Sequence, residues 1–125
     1  APLGEELLCR GFVQQVLEKH LIVVTLAILI TALFFALIHM NPYWFAQIYL
    51  LGVILGFLSW KTGSVFPSLI LHGLNNTMAM IFSFSEAGDG GVYIWNGHVA
   101  PWIIIIALAC TITGFRGINS LRDQA

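Results

Sequence analysis

Long apolar blocks, each broken by one or two polar residues, recur along the whole 125-residue chain. From about Leu3 to His20 the pattern is mixed. Glu6, Arg10, Gln14 and Glu18 recur every fourth residue, while Leu7, Leu8, Phe12, Val16 and Leu17 fill the remaining positions. Side chains four apart share a helix face, so this stretch predicts a helix with a polar stripe. Leu21 to Met40 is apolar almost until His39. Asn41-Pro42 ends it, because the residue before proline is biased away from the α region. A third segment, Tyr43 to Trp60, carries Gly52 and Gly56 four apart, small residues that let another helix approach closely. Lys61-Thr62-Gly63-Ser64 reads as a turn in which Ser64 caps a fourth helix, with Pro67 in its first turn, where a missing N–H costs little. That helix continues to about Phe84 and carries His72, Asn75 and Asn76. A Gly-rich acidic loop, Ser85 to Gly97 with Glu86 and Asp89, leads to a last helix from Val99 to Phe115.

Composition says which solvent these blocks face. Hydrophobic residues make up 58% of the chain and charged residues 9%, against about 25% charged in a soluble domain. The blocks approach the roughly 20 residues that cross a bilayer core. The expected fold class is all-α, a multi-pass transmembrane helix bundle of about five helical segments. A signal peptide does not account for blocks that recur down the whole chain. With a net charge of −1 and no basic run, nucleic acid is excluded as a partner, and membrane lipid is the expected one. Cys9 and Cys110 lie far apart in apolar helical contexts and suggest no disulfide framework. The chain opens on Ala-Pro-Leu-Gly and runs straight into charged residues. The expectation is therefore one partial membrane domain over 1–125, with earlier helices belonging to a larger bundle. If the helices alternate, Lys19, Lys61, Arg116 and Arg122 share one side, and the loops opposite hold no Lys or Arg. That side is expected to face the cytoplasm, and the plasma membrane is the expected setting.

Glu5, Glu6, Arg10, His39, His72, Asn75 and Asn76 are out of place in such surroundings. A charge in a bilayer core costs roughly 2.5–3.5 kcal/mol by insertion scales, so such residues pair with one another or line a polar cavity. Glu6 and Arg10 are four apart in the favourable order for an ion pair. Glu5 points about 100° away from Glu6 on an α-helix, and its i+3 and i+4 neighbours, Leu8 and Cys9, carry no charge. Glu5 is thus the better general-base candidate and Glu6 the structural one. Taken singly, the glutamates also read as a helix start favoured by the helix dipole, and each histidine or asparagine as interhelical glue. Three helices that each contribute such a residue point instead to hydrolysis, which needs a base for water, a group to orient it and donors for an oxyanion.

Glu5-Glu6-Leu-Leu-Cys-Arg10, Phe35-Ala-Leu-Ile-His39 and His72-Gly-Leu-Asn-Asn76 together resemble the EExxxR, FxxxH and HxxxN signature of the CAAX protease and bacteriocin-processing (CPBP, or Abi) family. These are intramembrane peptidases that include the Rce1-type prenyl endopeptidases. The Thr62-Gly63-Ser64 turn and Pro67 also look typical, and the resemblance covers residues 5 to about 80. It implies an intramembrane endopeptidase acting on a membrane-associated peptide or lipidated protein. Glu5 would activate water with His39, His72 and Asn76 would hold the oxyanion, Glu6 and Arg10 would order the site, and Phe35 would pack beside His39, with Asn75 in support. The family was first described as metalloproteases, and the resemblance favours a metal-free glutamate mechanism. If zinc is bound, Glu5, His39 and His72 are its expected ligands, although HExxH is absent. Ser64 is explained as a cap rather than as a rhomboid-type nucleophile, and Gly88-Asp89 lacks the pattern of an aspartyl intramembrane protease. The alternative is a non-catalytic membrane scaffold or bacteriocin self-immunity protein. A transporter or channel fragment with an ion path through Glu5, His39 and His72 is a third reading. Depth poses a difficulty for a shared site. At about 1.5 Å per residue, His72 is about 12 Å from the cytoplasmic turn, whereas His39 is near the far end of its helix.

Overall fold

A computed structural model of the chain describes residues 2–84, the pairs 94–95 and 98–99, and positions 101, 105, 109, 112–114 and 116–117. The chain divides into two compact units, Ala1–Asn76 and Thr77–Ala125.

The first unit opens on one unbroken helical run of three parts: α1 (Pro2–Glu6), a π-helical segment (Leu7–Val13) and α2 (Gln14–His20). Backbone angles at the two joins, Glu6 and Gln14, stay in the right-handed helical region. The sequence predicts a helix here but not its π centre, and the π centre has a consequence for the polar stripe. In a pure α-helix four residues overshoot one turn by about 40°, so a strict four-residue stripe drifts around the axis. The wider i→i+5 turn removes that overshoot and holds Glu6, Arg10 and Gln14, all buried, on one face.

Leu21 and Val23 are extended, and α3 then runs Val24–Ile38. It begins three residues later than expected, because the chain must reverse direction after His20. His39 closes α3 in helical geometry, and Met40 adopts a left-handed φ of 49°. The break at Asn41-Pro42 is as expected. The Asn41 carboxamide oxygen accepts from the Tyr43 and Trp44 backbone N–H groups at 3.1 and 3.3 Å. Those two residues therefore form the turn, and α4 spans Phe45–Thr62 rather than starting at Tyr43. It ends at Gly63, whose φ of 64° is the left-handed geometry a helix C-terminus favours. Ser64 Oγ accepts the Phe66 N–H at 3.3 Å, the expected capping part, as α5 (Phe66–Phe84) begins.

α3 and α4 pack closely because Gly52 has no side chain. A Cβ there would stand 3.1 Å from the Ala32 Cα and 3.2 Å from the Phe35 ring. Ala27, Ile28, Ala32, Phe35, Ala36 and Leu55 form the buried apolar core of this unit, and many large apolar residues stay exposed around it. Among the described residues α4 alone is both long and apolar enough to cross a membrane, and α3 is apolar but shorter.

In the second unit Ile94–Trp95 and His98–Val99 pair as a two-stranded antiparallel ladder, β1 and β2. Val99 is thus in a strand and does not start the last helix, and the stretch expected to be loop contains β1. Positions 101, 105, 109 and 112–114 are helical, as expected for that region, and positions 116–117, beyond the expected end at Phe115, are helical as well. Glu86, Asp89, Cys110 and Arg122 lie outside the described residues.

Candidate active site

The site is assembled from α1, the π-helical segment, α3 and α5, all within the first unit. Glu6 and Arg10 form the predicted ion pair, Arg10 Nη1 to Glu6 Oε1 at 3.1 Å, with both side chains fully buried. The guanidinium reaches further, donating from Nη2 to the Gly52 carbonyl at 2.9 Å and lying 4.5 Å above the centre of the Phe35 ring. One fork therefore ties the first helical run to α4 by a hydrogen bond and to α3 by a cation–π contact.

Gln14 repeats the arrangement one turn on. Its amide nitrogen donates to the Gly56 carbonyl at 2.9 Å and to Glu18 at 2.8 Å. Arg10 with Gly52 and Gln14 with Gly56 are two rungs of a ladder, both 42 residues apart in sequence. Sequence reasoning noted the polar stripe and the glycine pair separately and did not join them. The common signal was their shared four-residue spacing, and a Cβ at Gly56 would stand 2.9 Å from Gln14 Oε1.

His72 is buried between the two glutamates. Its Nδ1 lies 2.9 Å from Glu6 Oε1 and its Nε2 lies 3.6 Å from Glu5 Oε2. His39 approaches the same Glu5 oxygen, Nε2 to Oε2 at 3.8 Å, and its Nδ1 is 2.7 Å from the Phe35 carbonyl. A carbonyl only accepts, so Nδ1 of His39 carries the proton and its Nε2 faces Glu5. An ionised Glu6 imposes the same tautomer on His72. The Phe35 ring holds both imidazoles edge-on, with centroids 4.6 Å from His39 and 5.5 Å from His72. Phe35 lies one turn before His39, and its reach to His72 takes up part of the depth difference that residue counting raised.

Exposure separates the members of this cluster. Glu6 and His72 are sealed at 0% and 2%, whereas Glu5 and His39 keep 28% and 31% of their side chains accessible. The Glu5–His39 side is thus accessible while the Glu6–Arg10 side is closed. Asn75 and Asn76 lie one turn beyond His72 on α5 and are exposed, with Asn75 donating to Asn76 Oδ1 at 3.4 Å.

A separation of 3.8 Å is too long for a direct hydrogen bond and short enough for one water to touch both groups. The arrangement can therefore hold a water against a carboxylate and an imidazole. Among the described residues no group of three or more His, Cys, Asp or Glu is arranged to hold a metal ion.

Two imidazoles from separate helices facing one carboxylate, braced from behind by a buried ion pair, form a centre suited to activating water. The chain belongs to the Rce1-like family, described as type II CAAX prenyl endopeptidases, whose match covers residues 1–78. It is a family of membrane-embedded proteases, and the match includes every residue of the cluster. No curated protein and no solved structure matches the chain.

Proposed function

We propose that the chain is part of a multi-pass intramembrane endopeptidase that hydrolyses a peptide bond of a membrane-associated peptide or lipidated protein, with Glu5 as general base. The observation that carries this reading is the convergence of His39 Nε2 and His72 Nε2 on the single Glu5 oxygen, at 3.8 and 3.6 Å. A water between Glu5 and His39 gives a proton to Glu5 as its oxygen attacks the substrate carbonyl carbon. The oxyanion that forms needs a donor. His72 supplies one when doubly protonated, since Nδ1 is committed to Glu6 and Nε2 then offers its proton. In that state Glu5, Glu6, Arg10 and His72 sum to zero charge, which suits an enclosed site. Asn76 would add a second donor once substrate is bound. As the intermediate collapses, the C–N bond breaks and Glu5 passes its proton to the leaving nitrogen, which restores the carboxylate and releases an acid and an amine.

Metal-free chemistry is part of this proposal, as is a domain that extends over residues 1–125 within the plasma membrane, with Lys19, Lys61 and Arg116 on the cytoplasmic side. The test uses the full chain in phosphatidylcholine vesicles with a library of lipid-tethered peptides. Glu5→Gln keeps the shape and removes the base, so cleavage should fall at least ~10²–10⁴-fold, the typical contribution of such a group, with the melting temperature unchanged. Cleavage retained by Glu5→Gln would end the reading. A chelator should leave cleavage unaltered, and a loss restored by zinc would overturn the metal-free part alone.

A further inference from the structure

A cleft of about 270 Å³ adjoins the cluster and has His39 in its wall. Three carboxamides, Asn41, Gln47 and Asn75, line it together with Trp44, Ile48 and Leu51. We infer that this cleft is the subsite that holds the substrate's main chain and one apolar side chain next to the scissile bond. The inference rests on the peptidase reading and adds to it where the substrate lies and which residues select it.

Continuity is the first argument. His39 belongs both to the cleft and to the Glu5 centre, so a chain lying in the cleft meets the activated water without leaving it. The lining chemistry is the second. A peptide bond offers an N–H and a C=O, and in apolar surroundings both need partners. Carboxamides match such a group with donors and acceptors and bring no charge into the membrane. The Asn41 oxygen is already committed to the Tyr43 and Trp44 N–H groups, which leaves its NH2 as a donor. Gln47 is exposed in the first turn of α4, and Asn75 keeps its own carboxamide oxygen as an acceptor.

The helix spacing is the third argument. Trp44, Gln47, Ile48 and Leu51 sit at i, i+3, i+4 and i+7, one continuous face. Polar Gln47 is thereby set beside an apolar wall. Clefts for drug-sized ligands run from about 300 Å³ upward, so this one accommodates one or two residues of an extended peptide. Carboxamides bind any main chain equally, so selection falls to Trp44, Ile48 and Leu51, which favour a large aliphatic or aromatic side chain.

The experiment again uses the full chain in phosphatidylcholine vesicles and a lipid-tethered peptide library with a randomised segment, with cleavage sites read by mass spectrometry. Leu51→Trp fills the cleft and should turn the preference at one substrate position from large apolar residues to Ala or Gly, by about 10–200-fold. Leu51→Ala, which removes bulk and guards against a folding failure of the larger residue, should relax that same position. Gln47→Ala combined with Asn75→Ala should raise KM about tenfold and move kcat less than twofold. Unchanged positional preference in both Leu51 variants, or an unchanged KM in the carboxamide variant, overturns the subsite while leaving Glu5 as base intact. Absence of cleavage by the unaltered chain overturns the peptidase reading and the subsite with it.

Discussion

Two polar regions inside this apolar chain are built on opposite plans. Along the seam between the first helical run and α4, Glu6, Arg10 and Gln14 are fully buried; Arg10 donates to Glu6 and to the Gly52 carbonyl, and Gln14 donates to Glu18 and to the Gly56 carbonyl. Around His39 the side chains of Gln47 and Asn75 are exposed, and Glu5 and His39 are part-exposed. The first region uses its hydrogen bonds to join helices, and the second presents polar side chains at an accessible surface. Neighbouring glutamates show the difference most directly. Glu6 faces the seam and is locked by Arg10 and His72, whereas Glu5, one residue earlier, faces two imidazoles across gaps that a water can bridge.

Apart from loss of the proposed base at Glu5, the largest expected effect comes from breaking the seam. Arg10→Leu leaves the buried Glu6 carboxylate, whose Oε2 already has no hydrogen-bond partner, without its counter-ion. Removing one partner of a buried pair costs about 3–5 kcal/mol, so the melting temperature in detergent should fall sharply. Arg10→Lys should recover only part of this, because an ammonium lacks the fork that serves Glu6 and Gly52 together. An unchanged melting temperature for Arg10→Leu would show that the seam does not hold the helices.

Next in size is a contrast between two glycines. Gly52→Ala would place its Cβ 3.1 Å from backbone at Ala32 and 3.2 Å from the Phe35 ring, neither of which is a flexible side-chain tip. Overpacking of this kind costs about 1–3 kcal/mol, and it should also lower activity, because Phe35 positions both imidazoles. Around Gly73 on α5 a Cβ would meet nothing within 4 Å. Gly73→Ala should stabilise by up to about 1 kcal/mol through helix propensity. Thermal unfolding of the two variants side by side checks the pair, and equal effects would remove Gly52 from its role in close packing.

Much of this was legible in the sequence, for a physical reason in each case. Periodicity announced the helices, proline and glycine announced their ends, and the i, i+4 spacing of Glu6 and Arg10 announced their pair. The joining of Arg10 to Gly52 and of Gln14 to Gly56 was not legible, because a backbone carbonyl leaves no mark on residue identity. Nor was the π-helical segment: its i→i+5 pattern is a property of hydrogen bonding, and Gly11, the weakest α-helix former in Leu7–Val13, is one that an α-helix tolerates. The resemblance assigned His72 and Asn76 to one task. In the structure His72 is between two carboxylates, and Asn75, named only as support, lines the cleft with His39. The side of a helix on which a polar residue acts depends on neighbours far away in the chain, and residue spacing on one helix does not encode them.

The smallest expected effect concerns how the open region is held. Met40, directly after His39, has a φ of 49°, a left-handed geometry that costs a side-chain-bearing residue about 1–2 kcal/mol. Its N–H donates to the Leu37 carbonyl at 3.0 Å, so the strained turn fixes the end of α3 just where His39 must face Glu5. Met40→Gly removes the strain and adds freedom to the unfolded chain, two contributions of opposite sign, so stability should change by less than about 1 kcal/mol. Activity should respond more, falling a few-fold in kcat with KM unchanged, because the turn that aims the imidazole becomes looser. Thermal unfolding and steady-state cleavage of the same preparation separate the two. If kcat does not move, the 2.7 Å contact between His39 Nδ1 and the Phe35 carbonyl is enough to aim the ring, and the strain at Met40 serves only to turn the chain towards α4.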